Sequence, residues 1–224
     1  MKVGDFASVL GPFKATAEAR YRRHSQDVFS QLRHACDIFE LPSIAMDTIR
    51  LEPITIKHAE AIQRLASDPL ITDTTNIPSP YPHDGAAVWI GQLTDRMQAG
   101  EEYAYAIIEG ETLVGVCGFV HVPENKELVE YGYWIGTPYW NRCYATAAGG
   151  LALEMAFDQL GFKSLLAPVL TRNAASARVL EKLGFRRTRI YNNTRYLKWE
   201  KTEMLADYEL TRAEWMKSNT RSEG

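Results

Sequence analysis

Apolar residues recur at helical spacing near the start of the chain, at Val28, Phe29, Leu32, Ala35, Cys36 and Phe39. That period lays one face of a helix against a core. Arg20, Arg22 and Arg23 precede it, and Leu41-Pro42 stops it, because the residue before proline is pushed out of the helical region. The pattern then alternates from Thr48 to Pro53, which predicts a strand. Thr55 is set to cap a helix whose inner face is Ala59, Ile62, Leu65 and Ala66. Residues 68–84 contain Pro69, Pro78, Pro80 and Pro82 and read as a loop. A helix from about Gly85 presents Trp89, Ile90, Leu93 and Met97, and Gly100 ends it.

From here the period shortens. Tyr103 to Ile108 and Leu113 to Val122 are apolar strands joined by the turn Glu109 to Thr112. A second turn, Pro123 to Glu127, leads into a strand from Leu128 to Ile135. A polar turn, Trp140 to Ala145, opens directly into a helix carrying Ala148, Leu151, Ala152, Met155 and Phe157. Ser164 to Leu170 is a continuous apolar run, expected as a strand buried on both faces. Ala174 to Leu183 is a helix closed by Gly184. Thr188 to Leu197 and Met204 to Leu210 read as strands around a polar turn at Trp199 to Glu203. Thr211 and Glu214 form a capping-box pattern that starts a last helix. The meander followed by a crossover predicts an α+β fold on one mixed central sheet. It divides as an N-terminal helical extension (1–45), a main domain (46–217) and a disordered tail (218–224).

Composition narrows the function classes. The net charge of −3, from 25 basic and 28 acidic residues, lacks the basic excess of a general nucleic-acid binder. The Arg186 to Arg189 cluster is the one basic run and reads as a solvated strand edge. Cys36, Cys117 and Cys143 are scattered, which argues against a disulfide framework and for a reducing, cytoplasmic setting. His24, His34, His58, His83 and His121 show no metal-ligand spacing, so no metal is expected. No stretch reaches the roughly 20 apolar residues of a membrane span, and no signal-peptide pattern opens the sequence.

The segment most suggestive of chemistry runs from Glu130 to Phe185. A strand that enters a tight turn and then a helix presents unpaired backbone N–H groups, and these with the helix dipole favour a phosphate or pyrophosphate. The pieces Ile49 to Pro53, Pro78 to Tyr81 with Trp89 beyond, Glu130 to Ile135, Trp140 to Ala145 and Asn173 to Phe185 resemble, in order and spacing, the GNAT superfamily of acetyl-CoA-dependent N-acetyltransferases. Within it the chain looks most like the branch of ribosomal-protein N-terminal acetyltransferases. The resemblance covers roughly Thr48 to Trp215 and makes 46–217 an acetyltransferase domain.

That resemblance implies a GNAT-like sheet with two splayed parallel strands, into which acetyl-CoA inserts. It implies acetyl transfer to a primary amine, either a small molecule or a peptide N-terminus, by direct attack in a ternary complex. The alternative is a catalytically weak or inactive CoA-binding or interaction module on the same fold. The cofactor would lie along Tyr133, Trp134 and Ile135, its pyrophosphate on Asn141, Arg142, Cys143, Tyr144, Ala145 and Thr146, with Asn173 and Ser176 by the pantetheine arm. Glu130 matches the superfamily's glutamate base. Strand alternation sets Glu130, Gly132 and Trp134 on one face and Tyr131, Tyr133 and Ile135 on the other. Leu180 stands where many members carry a tyrosine acid, which leaves Ser176 as proton donor to the thiolate. Tyr81, Trp89 and Tyr131 match the branch's aromatic acceptor wall. Asn141 and Cys143 stand where the branch has glycines, so their backbone geometry decides how well the turn holds phosphate. A homodimer through the N-terminal helix or the last strands is left open.

Overall fold

The computed structural model describes residues 49–220. The extension at 1–45, with its expected helix, and residues 221–224 lie outside them. The strands are β1 (Ile49–Pro53), β2 (Tyr103–Glu109), β3 (Thr112–Val120), β4 (Val129–Ile135), β5 (Ser164–Leu170), β6 (Arg186–Asn192) and β7 (Met204–Thr211). The helices are α1 (Ala59–Ala66), α2 (Pro69–Thr74), α3 (Gly85–Ala99), α4 (Tyr144–Glu154), α5 (Ala174–Lys182) and α6 (Arg212–Thr220). One seven-stranded sheet runs in the order β1-β2-β3-β4-β5-β7-β6. All neighbours are antiparallel except β4 and β5.

The expected α+β sheet is therefore present, and its alternation builds two cores. In β2, Tyr105 and Ile107 face α4 and α5, while Ala104, Ala106 and Ile108 face α1 and α3. In β4, Val129, Tyr131 and Ile135 join the α4–α5 core and Trp134 joins the α1–α3 core. The apolar faces removed from water on both sides hold the layers together.

Three local readings are corrected. Residues 68–84 are not all loop, because Pro69 starts α2 rather than breaking a helix. Asp68 caps it, accepting from the Leu70 N–H at 2.9 Å, and a proline at the first helical position lacks a donor that would be unpaired anyway. Second, β5 is not fully buried on both faces: Leu165, Ala167 and Val169 are inside, while on the face that Glu130 shares Leu166 and Pro168 are half-buried and Leu170, at the strand's end, is buried. Third, α6 continues to Thr220, three residues into the expected tail. Its capping box forms, with Thr211 and Glu214 exchanging hydrogen bonds, and Trp215 anchors it against Phe157. The basic run lies on edge strand β6, exposed as expected, where Arg189 pairs with Asp207 at 3.2 Å.

Among the described residues no helix is long and apolar enough to cross a membrane. Nor does any group of three or more His, Cys, Asp or Glu side chains there converge as a metal site.

Glu154, at the end of α4, is buried, and its Oε1 has no hydrogen-bond partner. Burial, aided by Asp158, raises its pKa from 4.5 to about 7. Between those values the folded chain holds a proton that the unfolded chain has lost. Stability from this group therefore falls as pH rises through that window, by about 3 kcal/mol. Glu154→Gln is expected to raise the melting temperature by several degrees at pH 8, with the gain shrinking toward pH 5. An equal change at both values would mean that titration of Glu154 is not the cause.

Candidate active site

The central feature is a split between β4 and β5. The two strands pair only at Val129 with Leu165 and Glu130 with Leu166. Beyond Glu130 they part, while β4 keeps its antiparallel partner β3 as far as Ile135 opposite Gly115. The β5 side of β4 from Tyr131 onward thus offers backbone edge to an extended ligand, as an added strand would use. One acceptor on that stretch is taken, since the Trp140 indole N–H donates to the Ile135 carbonyl at 2.6 Å.

On the α1–α3 face, Glu130 stands at the mouth of the split, its side chain 12% exposed. Tyr196 donates its hydroxyl to Glu130 Oε1 at 2.9 Å. Arg195 Nη2 contacts Oε2 directly, and His121 Nδ1 lies 3.3 Å from the same oxygen. His121 follows the end of β3 with a left-handed backbone, φ 53°, rare for a residue with a Cβ. Next along this face is Gly132, where a Cβ would meet nothing within 4 Å. Trp134 follows and, like Tyr81 and Trp89, is half-buried against the α1–α3 core. This face of β4 beyond the split, the trough, runs from a carboxylate at Glu130 over the open space at Gly132 to the indole of Trp134.

Arg195 and Tyr196 come from a strap, residues 193–203, that the sequence reading assigned partly to a strand. β6 ends at Asn192 because buried Asn193 organises the turn. Its Oδ1 accepts from the N–H groups of Arg195 and Tyr196 at 3.2 and 3.0 Å. Its Nδ2 donates to the carbonyls of Tyr196 and Trp199 at 2.7 and 2.8 Å. The strap is tied across the trough to α2 and the residues after it. Lys198 donates to the carbonyls of Thr72, Thr75 and Ile77, and the Trp199 indole to the Asp73 carbonyl at 3.0 Å. Arg172 joins Asp73 and Glu203. The paired Asn192-Asn193, interrupting an alternating run, was the available turn signal.

On the opposite face, Tyr133 and Ser176 meet: their hydroxyl oxygens are 3.0 Å apart. Ser176 lies in the first turn of α5, where Asn173 accepts from its N–H at 3.1 Å as the helix cap. Burial raises the Tyr133 pKa to about 12, opposed by the bond to Ser176. Leu180 is fully buried in the core, so no hydroxyl comes from that position. Tyr131 does not reach the trough either. It is 2% exposed, stacked on Tyr133 and Phe185, with its hydroxyl unpartnered in the α4–α5 core. An odd position on β4 must point away from Glu130.

The turn before α4 answers the question of its missing glycines. Asn141 and Cys143 both have φ 60°, the left-handed geometry glycine would adopt freely. Flanking Arg142, they bend the backbone as an anion-binding nest does. No side chain caps α4, so its first N–H groups suit an anion such as a pyrophosphate. A left-handed residue with a Cβ costs about 1–2 kcal/mol. Cys143→Val, β-branched, is expected to lose about 1 kcal/mol of stability and Cys143→Gly to lose none, as read by thermal denaturation. Equal losses in both would point to a side-chain contact instead.

Comparison with known proteins agrees with the fold. Residues 48–186, more than half the chain, match the acetyltransferase (GNAT) domain. The uncharacterized N-acetyltransferase p20 of Bacillus licheniformis is 26% identical over 149 residues, 63% of this chain and 84% of that protein. The FsC-acetyl coenzyme A-N(2)-transacetylase of Aspergillus fumigatus is 25% identical over 192 residues, 79% of each. Among solved structures, the Vibrio cholerae spermidine N-acetyltransferase in complex with CoA and spermine superimposes with a TM-score of 0.67 at 13% identity. It covers 76% of this chain and 99% of its own. The ribosomal L7/L12 alpha-N-protein acetyltransferase in complex with coenzyme A gives 0.66 at 15%, over 73% and 94%.

Proposed function

Because the chain belongs to the GNAT acetyltransferase family, we propose that it transfers an acetyl group from acetyl-CoA to a primary amine held in the trough. The observation that carries this reading is the split after Glu130, with a carboxylate on one face and a pair of hydroxyls on the other. The β4 backbone from Tyr133 to Ile135 and the nest at residues 141–146 suit the extended arm and the pyrophosphate of the cosubstrate. Arg142, Tyr144, Ala145 and Thr146 contribute through that turn, and Asn173 through the start of α5.

An amine approaching from the α1–α3 face must lose its charge before it can attack. Glu130 takes that proton. The C–N bond then forms as the C–S bond breaks. On the α5 face, Tyr133 and Ser176 would supply the proton that the departing thiolate takes up. A phenol with a pKa near 12 stays protonated at neutral pH and is available as a donor. Base and acid act from opposite faces of one sheet, through the gap that the splayed strands leave. Tyr81, Trp89 and Trp134 form the apolar wall against which the acceptor rests.

The test is acetyl-CoA titration by calorimetry together with thiol release over a panel of amines. Absence of acetyl-CoA binding would refute the reading. Binding without release for any amine would select the non-catalytic module on the same fold.

A further inference from the structure

We propose that the acceptor is a small amine bearing its own carboxylate, an amino-acid-like zwitterion, and that Arg195 selects it; this rests on the acetyltransferase reading of the site. The reason is the direct contact between Glu130 and Arg195. An amine within hydrogen-bond reach of the Glu130 carboxylate comes close to the guanidinium as well. Arg195 is not a loose surface residue, because the strap that carries it is fixed by the Asn193 side chain and by the ties of Lys198 and Trp199 to residues 72–77.

A zwitterion fits this pair by exchange. Its ammonium replaces the guanidinium at Glu130, and its carboxylate replaces Glu130 at Arg195. No charge is left buried without a partner, which would be costly. The planar guanidinium has five N–H donors and matches a carboxylate in two-pronged fashion. Its bond to Glu130 runs through Nη2. The open space over Gly132 receives the rest of the molecule, with Trp134 as its far wall.

A polycation fits poorly. Of the nearby carboxylates, Asp73 and Glu203 are bound by Arg172 and Asp207 by Arg189 and Tyr191, while Glu200 and Lys201 lie exposed on the strap and offset each other; Lys198 is enclosed by three carbonyls. His121 adds positive charge if protonated. A second ammonium would face Arg195 and His121 with Glu130 already engaged. The protons balance for the zwitterion: the ammonium gives one to Glu130, which passes it to solvent, and the nitrogen loses a second as the amide forms. That second proton equals the one taken up by the CoA thiolate.

The experiment compares kcat/KM for the common amino acids, the same compounds as carboxamides, and spermidine, in the wild type, R195Q and R195K. The best amino acid is expected to exceed its carboxamide by about tenfold or more. R195Q should bring that ratio near one, and R195K should retain part of it. Circular dichroism and acetyl-CoA calorimetry establish that each variant is folded. A carboxamide equal to its acid, spermidine as the best acceptor, or an undiminished ratio in R195Q would each overturn the proposal. If acetyl-CoA binds but nothing in the panel is acetylated, the catalytic reading itself fails, and this proposal with it.

Discussion

Glu130→Gln is expected to lower kcat by about a hundredfold or more, the usual contribution of a general base, while acetyl-CoA affinity stays within about twofold. Glutamine keeps the shape of the side chain. Its carbonyl oxygen can still accept from Arg195 while its amide nitrogen donates to the Tyr196 hydroxyl oxygen, and the strap keeps its ties through Asn193 and Lys198. What it loses is the ability to take a proton. Alanine would be a poorer probe, because it would strip Arg195 of its partner and confuse electrostatics with chemistry. In the variant only the fraction of acceptor that is already neutral reacts, so the rate should climb about tenfold per pH unit up to the acceptor's own pKa. A wild-type profile that levels off earlier completes the signature. A loss of less than about threefold, with the wild-type pH profile intact, would move the base elsewhere.

Tyr133→Phe and Ser176→Ala address the other half of the reaction. Each is expected to reduce kcat by about tenfold or more, below the roughly hundredfold or greater usual for a lone proton donor because the second hydroxyl remains. The two hydroxyls share one hydrogen bond at 3.0 Å, so the double variant, with neither, should show the full loss of roughly a hundredfold or more. With the phenol pKa near 12, no descending limb from this donor should appear below about pH 11 in the wild type. Additive losses of less than twofold each would show that the thiolate leaves without help from this pair. Neither change should alter the preference among acceptors, since both side chains lie across the sheet from the trough.

Much of the frame was legible because it depends on local periodicity. The alternation in Glu130 to Ile135 put Glu130 and Tyr133 on opposite faces, and they are there. The capping pattern at Thr211 and Glu214 formed as read. Errors fell where a residue has two local meanings. Pro69 served as a helix starter although proline runs usually mark loops, and Leu166 and Pro168 sit in an apolar run yet face the half-open side. Tyr131 resembled an acceptor-wall residue by position, but its parity on β4 sends it into the core. The position of Cys143 raised the question of its backbone angle, but its residue type favours negative φ, and only the fold of the turn sets it left-handed.

By itself the sequence determined the order of the strands and of all helices but α2, the two faces of β4, and the capped starts of α5 and α6, since these follow from contacts within a few residues along the chain. The tertiary structure alone decided where β4 leaves β5, which hydroxyl meets Ser176, and that Arg195 and Tyr196 close on Glu130 across 65 and 66 residues of sequence. Those depend on the packing of distant segments, the strap against α2 above all, and no local period encodes which distant side chains will share a carboxylate.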